Sequence, residues 1–417
     1  MSDWLAIDFG TSNTAAAYFH DGQAHQIQLE VDKETIPTAV FFPQRSGRME
    51  IGAVANAALI EGDEGRYMRA LKSVLGTNLM SEQRLLGGRR LDFYDVISAF
   101  LGSVKSRAEA ATGRTFDHAL SGRPVRFHSK HPERNDQALA DLTECYMRAG
   151  FKAVNFCPEP EAAALSLGHR LENGRYGLVV DIGGGTSDFT VFKAGTEIDI
   201  ITSFGVRIGG TDFDRVLSYS QVMPHFGRGQ RLTRLMAQDT LIAPNHIFHD
   251  LSTWEKIPFV YDPASLKLAK ELMRDAVEPS KFARLVEVIE YQYGHELAFA
   301  VEDAKIACNA EQGPYRAPLN FLSDPMLARI TYDDFLTEVD GFKQELQEAM
   351  RITVDQAGLT PDQVQDIVLV GGSSMMGFVI DAINLVFNAP RIHQDAIFTA
   401  IVDGLALRSA RIDHSKN

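Results

Sequence analysis

The chain opens on a strand-like apolar run, "LAIDFGTSNTAAAYF" (residues 5–19), which ends at Asp8, turns through glycine and hydroxyl residues, and resumes as a second strand. The pattern returns in "LVVDIGGGTSDFTVF" (178–192), 173 residues further on, with Asp181 in the place of Asp8. Self-similarity at that distance predicts two structurally related halves, each opening on a hairpin with a glycine turn. Between the copies, "IPTAVFF" (36–42) and "ALSGRPVRF" (119–127) read as strands. "RNDQALADLTECYMRAG" (134–150) has helical spacing and stops at glycine. "EPEAAALSLG" (159–168) reads as a helix with Pro160 in its first turn and Gly168 at its end.

In the second half, 266–277 and 281–310 show helical periodicity, and "DPASLKLA" supplies an aspartate as a helix start. An amphipathic helix over 340–359 leads into "DIVLVGGSSMMGFVIDAINLVF" (366–387), a strand, a Gly-Gly turn and a helix. Residues from about 219 to 262 mix glycine, histidine, proline, aromatics and the arginines Arg228, Arg231 and Arg234. They read as an insertion whose structure the pattern leaves open. Strands alternating with helices across both halves predict an α/β class with mixed sheets.

Composition narrows the function classes. A chain of 417 residues, 45% apolar and 23% charged, is ordinary for a globular protein of two or three domains. Its net charge of −14 repels nucleic-acid phosphates and anionic lipid, so neither nucleic acid nor membrane is expected as a partner. Cys145, Cys157 and Cys308 are dispersed and form no Cys-x-x-Cys pair, which fits buried thiols in a reducing compartment. The start "MSDWLAIDFG" enters the first strand without a signal-peptide pattern, and no apolar run nears the ~18 residues of a membrane span. The expected location is cytoplasmic.

The candidate chemistry lies in the two turns. A glycine turn between strands presents backbone N–H groups with no side chains in the way, a nest for anions. Thr11 and Ser12 in one copy, and Thr186 and Ser187 in the other, add short hydroxyl donors. Asp8 and Asp181 repel phosphate directly but suit a hydrated divalent cation such as Mg²⁺, which needs few carboxylates. Two such hairpins predict a triphosphate clamped with Mg²⁺ beside it. The glycine pair of "IVLVGGSSMMG" sits at a strand-to-helix junction, where the helix dipole favours a ligand. His246 and His249, near Asp250, lack a third ligand and read as polar residues of the insertion. His128 and His131 read as loop or helix-start residues.

The order of Asp-x-Gly-Thr hairpin, "EPEAAA", Asp-x-Gly-Gly-Gly-Thr hairpin, "GGTDFD" and "VLVGGSS" resembles the ATPase domain of DnaK-type heat-shock chaperones. These form the heat shock protein 70 family, within the actin-like ATPase superfamily. The resemblance runs from residue 4 to about 408, and the chain looks most like a truncated bacterial member without the peptide-binding domain. It implies an actin-like ATPase fold of two duplicated ribonuclease H-like lobes with mixed sheets flanking a nucleotide cleft. Lobe I would span 1–172, with a C-terminal helix at about 398–417 returning to it, and lobe II 173–397, including the insertion.

The implied cofactors are ATP or ADP with Mg²⁺. By resemblance, Gly10, Thr11, Ser12 and Asn13 form the first phosphate hairpin, and Gly183, Gly184, Gly185 and Thr186 the second, followed by Asp188. Asp8 and Asp181 hold the metal through water. Lys72 of "ALKSVLG" matches the lysine at the γ-phosphate, and Glu159 with Pro160 couples nucleotide state to domain movement. Gly209 and Gly210, with Glu302, Lys305 and Asn309 on one wall and Gly371, Gly372, Ser373 and Ser374 on the other, complete the nucleotide site. The catalytic set is Lys72, Glu159, Asp181 and Thr186, with Glu159 or Asp181 orienting the attacking water. Ile306 and Met375 stand where the family has adenine-stacking arginines, and Thr211 where it has glutamate. Adenine affinity or base selectivity should fall accordingly.

The implied function is that of a chaperone-like ATP-dependent switch, in which hydrolysis changes lobe geometry for a protein partner. A small-molecule kinase and a filament-forming actin-like ATPase are the alternatives, and "EPEAAA" favours the chaperone branch. Extended-peptide binding is not expected. The insertion is the expected partner surface, through Phe226, Ile247, Phe248, Trp254, Phe259 and Tyr261 and its arginines, with packing of these aromatics onto the second lobe as the equal alternative.

Overall fold

The computed structural model describes residues 4–31, 33–44, 48–128, 132–167, 171–196, 198–233, 240–394 and 399–414. The chain divides into two compact units. One comprises residues 1–207, 346–375 and 380–417, and the other residues 208–345 and 376–379. Gly168, His131 and Arg234, named above, lie outside the described residues.

The first unit holds two sheets built on one plan. In the first sheet, Trp4–Phe9, Asn13–His20 and Gln23–Ile27 form an antiparallel meander. His118–Arg123 and then Ala153–Pro158 extend it in parallel from the Trp4–Phe9 side. In the second sheet, Tyr176–Ile182, Ser187–Lys193 and Asp199–Val206 repeat the meander. Val364–Val370 and Arg391–His393 extend that one in parallel. The duplication seen in the sequence is therefore a duplication of sheet topology, and the structure has the mixed α/β architecture of the actin-like ATPase fold.

Strand alternation decides where the core lies. Leu5, Ile7 and Phe9 face a core shared with the helices Phe93–Thr112 and Asn135–Arg148. Trp4 and Ala6 face the other way, into a core that also takes Val179 and Phe192 of the second sheet. Between the sheets run two helices, Glu159–Leu167 and Ala400–His414, which meet through small residues. Ala162, Ala163, Ala164, Ala400 and Ala406 are all buried there. A Cβ placed on Gly404 would stand 1.7 Å from the Ala162 carbonyl oxygen, so only glycine permits that approach.

Several sequence expectations shift in detail. Residues 36–42 form two strands, Thr35–Pro37 and Ala39–Pro43, which pair with different sheets. Thr38 between them is drawn to the first hairpin, its N–H donating to the Ser12 carbonyl at 2.8 Å. The strand expected over 119–127 is His118–Arg123, and it stops at Pro124, which has no N–H for the ladder. The helical stretch 281–310 is two helices, Pro279–Glu290 and Gly294–Glu311, interrupted where Gln292 takes φ 60°. Asp262 caps Pro263–Asp275, its carboxylate accepting from the N–H groups of Ala264 and Ser265.

The described residues of the insertion form short helical turns and the antiparallel strands Arg231–Thr233 and Thr240–Ile242. Phe226, Ile247 and Phe248 are buried, and Trp254 packs edge-on against His295 and Phe299. Phe259 is 78% exposed. Among the described residues, no helix is long and apolar enough to cross a membrane.

Candidate functional site

The two hairpin turns are set by short-range bonds. In the second, the Gly183 N–H donates to the Thr186 carbonyl at 2.9 Å and closes the turn. The Ser187 that follows is buried, whereas Gly185 and Thr186 are exposed at the tip. In the first, Gly10, Thr11 and Ser12 are half-buried and Asn13 is exposed. The tips stand close together, since a Cβ on Gly184 would lie 2.8 Å from Ser12 Oγ. A Cβ on Gly185 would meet nothing within 4 Å. Gly371, with φ 77°, presses on the second hairpin, where a Cβ would lie 2.4 Å from the Ile182 carbonyl oxygen and 3.2 Å from Asp181 Oδ1.

Lys72 sits in a single helical turn, Leu71–Val74, that follows the strand Gly65–Arg69. Its Nζ donates to Glu159 Oε1 at 2.6 Å, and the two side chains are only 10% and 9% exposed. Glu159 opens the helix that runs between the two sheets, so its carboxylate emerges from a rigid root. Gly122, at the end of its strand, makes room for it: a Cβ there would be 3.1 Å from Glu159 Cγ.

Around this pair the charges do not balance. Burial and then the Glu159 carboxylate push Asp8 up to about 7, although Lys72 pulls it back. Burial, Glu159, Asp188 and Asp8 hold Asp181 well above the usual carboxylate range. Asp188 is raised to about 6 by burial and Glu159, against Lys72 and Arg126. For Lys72 itself, burial works against the charged form. Glu159, Asp8 and Asp181 outweigh that, so the ammonium sits above its ordinary value.

The donor set fits a magnesium–phosphate ligand. Four carboxylates meet the Lys72 ammonium, with Arg126 acting on Asp188, in a desolvated place, and a divalent cation is the chemistry that relieves the remaining excess. The oxygen-only donors suit a hard cation. Among the described residues, no three His, Cys, Asp or Glu side chains converge closely enough to ligate an ion directly.

Ser374 is buried and its hydroxyl donates to the Gly371 carbonyl at 2.7 Å, so it locks the turn from inside. Ser373 is half-buried and Gly372 exposed. These four belong to the first unit, with both hairpins, Lys72 and Glu159. The second unit carries Gly209, Gly210, Glu302, Lys305 and Asn309. The Gly209 N–H donates to Asp212 Oδ2 at 3.2 Å and opens the helix Gly210–Leu217. Lys305 is buried and paired with Asp214 at 2.8 Å, which fastens that helix to Gly294–Glu311. Asn309 Oδ1 accepts from the Gly377 N–H at 2.8 Å, and Glu302 is half-buried. Ile306 and Met375, where DnaK-type chaperones carry arginines, are 57% and 46% exposed.

Sequence reasoning passed over Asp188 as a member of the charge cluster. The signal was present in the hairpin register, because the turn places Asp188 directly opposite Asp181. Two like charges facing across one ladder are costly unless something positive serves both.

A family model described as MreB/Mbl protein matches residues 133–223. That stretch is roughly a fifth of the chain, and it includes Glu159, the second hairpin and Gly209–Gly210. The match indicates a member of the actin-like ATPase superfamily. It gives no support to the narrower DnaK-type assignment.

Proposed function

We propose that this chain is an actin-like ATPase whose ATP or ADP lies with its phosphates against the two glycine hairpins. The observation that carries this reading is that both hairpin tips stand together beside a buried cluster of Asp8, Asp181, Asp188, Glu159 and Lys72. Asp8 and Asp181 would hold Mg²⁺ through water, which would supply positive charge against the phosphate oxygens. Lys72 supplies a second positive charge, kept protonated by its carboxylates and aimed by the 2.6 Å bond to Glu159. Thr11, Ser12, Gly185 and Thr186 offer small donors at the tips. Glu159 or Asp181 accepts a hydrogen bond from the attacking water and orients it. Lys305 spends one of its three donors on Asp214, which holds its helix, and keeps others for the adenosine. Base selectivity is weak, because Ile306 and Met375 stand where DnaK-type chaperones stack arginines on adenine.

The MreB/Mbl match favours the filament-forming reading over the chaperone-like switch. The partner we propose is therefore further copies of this chain, acting in the cytoplasm, with a client protein as the alternative. Titration calorimetry with ATP, ADP and GTP, with and without Mg²⁺, tests the first part. The expectation is Mg²⁺-dependent binding with little preference for adenine, and no heat at millimolar nucleotide overturns it. Sedimentation tests the second part. ATP-dependent pelleting supports self-assembly, and a monomer that captures a defined client in one nucleotide state supports the switch.

A further inference from the structure

We infer that Asp141 and His128 are positioning residues for Lys72, clamping the backbone of the turn that carries it. The inference rests on the reading of Lys72 as the phosphate-facing lysine.

A lysine has a long, flexible stem, so its charge is placed only as well as its root is held. The root here is a single helical turn whose own closing bond, from the Leu75 N–H to the Lys72 carbonyl, is long at 3.4 Å. The next two backbone groups are both taken by distant side chains. His128 Nε2 donates to the Leu75 carbonyl at 2.6 Å, across 53 residues of sequence. Asp141 Oδ2 accepts the Gly76 N–H at 2.8 Å, across 65 residues.

Asp141 is built for this task. It is 2% exposed, and its other oxygen accepts from Tyr94 Oη at 2.5 Å and from Gln137 Nε2 at 2.7 Å. Three donors therefore converge on a group that only accepts. Gly76 completes the seat. Its φ is 73°, and a Cβ would lie 2.6 Å from the Arg134 carbonyl oxygen and 3.1 Å from His128 Nε2. The turn is thus pressed against the start of the Asn135–Arg148 helix and bonded to it. Leu71 and Leu75, both buried, fix it from the other side.

Asp141→Asn keeps size but turns an NH₂ group either onto the Gly76 N–H or onto the Tyr94 and Gln137 donors, which loosens the seat. A displacement of about 1 Å at a phosphate-facing charge can cost up to ~100-fold in rate. The test is a double-mutant cycle on steady-state ATPase. Asp141→Asn is expected to lower kcat ~10-fold or more while changing ADP affinity less than about threefold, as expected of a contact that matters chiefly to the γ-phosphoryl. In a Lys72→Ala background the same change should do almost nothing further. His128→Ala should behave alike, and His128→Gln, which keeps a donor, should recover most of the rate. If Asp141→Asn does not fold, the His128 pair carries the same cycle. Equal slowing in the wild-type and Lys72→Ala backgrounds overturns the clamp while leaving the ATPase reading intact. A folded wild type without Mg²⁺-dependent hydrolysis overturns the ATPase reading, and the clamp with it.

Discussion

At Lys72 burial pulls toward the neutral amine, and three carboxylates pull harder toward the ammonium. The charge is thus fixed by its neighbours. Lys72→Ala is expected to slow hydrolysis by up to ~100-fold and to leave ADP binding nearly unchanged, because ADP has no γ-phosphoryl. Single-turnover rates and ADP calorimetry check this, and an unchanged rate returns Lys72 to a structural ion pair. Gly184→Val should abolish nucleotide binding, since its branched side chain displaces Ser12 and fills the space between the tips. A different carboxyl gives a pH prediction. Burial pushes Glu296 from its usual 4.5 up to about 7. The native state therefore holds a proton that the unfolded chain releases between those values, and stability falls as pH rises through that window. Glu296→Gln removes the penalty, so its melting temperature should exceed that of wild type at pH 8. The difference should shrink toward zero near pH 4.5.

At the scale of elements, the pair of helices between the two sheets holds Glu159 in place. Glu159–Leu167 has almost no amphipathic stripe, because it is buried nearly all round by alanines. Its partner, Ala400–His414, approaches at Gly404, whose added Cβ would meet backbone rather than a movable side chain. Polar ties run alongside, from Gln26 Nε2 to both Asp403 oxygens at 3.0 and 2.9 Å. Gly404→Val must separate the helices, and overpacking of this kind costs roughly 1–3 kcal/mol or more. Urea denaturation should show a lower midpoint with the slope unchanged. An unaltered midpoint would mean that the contact is looser than its geometry.

For the whole molecule, the proposed nucleotide would be a source of stability. Ligand at 100 times its dissociation constant adds about 2.7 kcal/mol to any protein that binds it only when folded. Mg·ATP should therefore raise the melting temperature, and the shift should vanish without Mg²⁺, since Asp8, Asp181 and Asp188 would then face phosphate unscreened. Scanning calorimetry with and without chelator reads this directly. Mg²⁺-independent stabilisation would remove Asp8 and Asp181 from the metal site.

The sequence by itself determined the duplication. An Asp-Gly hairpin written twice, with apolar residues alternating along its strands, can only bury those residues in two sheets of the same plan. It also determined the glycine turns and the helices with clear caps, because those signals are local. Only the tertiary structure decided which groups share a charge. Asp8, Lys72, Glu159 and Asp181 are spread over more than 170 residues of chain. The shifts of Asp8, Lys72 and Asp181 are set by mutual distance and burial, which no local pattern encodes. The ion pair of Lys305 with Asp214 is likewise a product of the fold, since the two residues stand 91 positions apart in the chain. Asp141 and His128 carry no motif at all. Their role rests on where the Asn135–Arg148 helix and His128 are packed against the turn at Gly76.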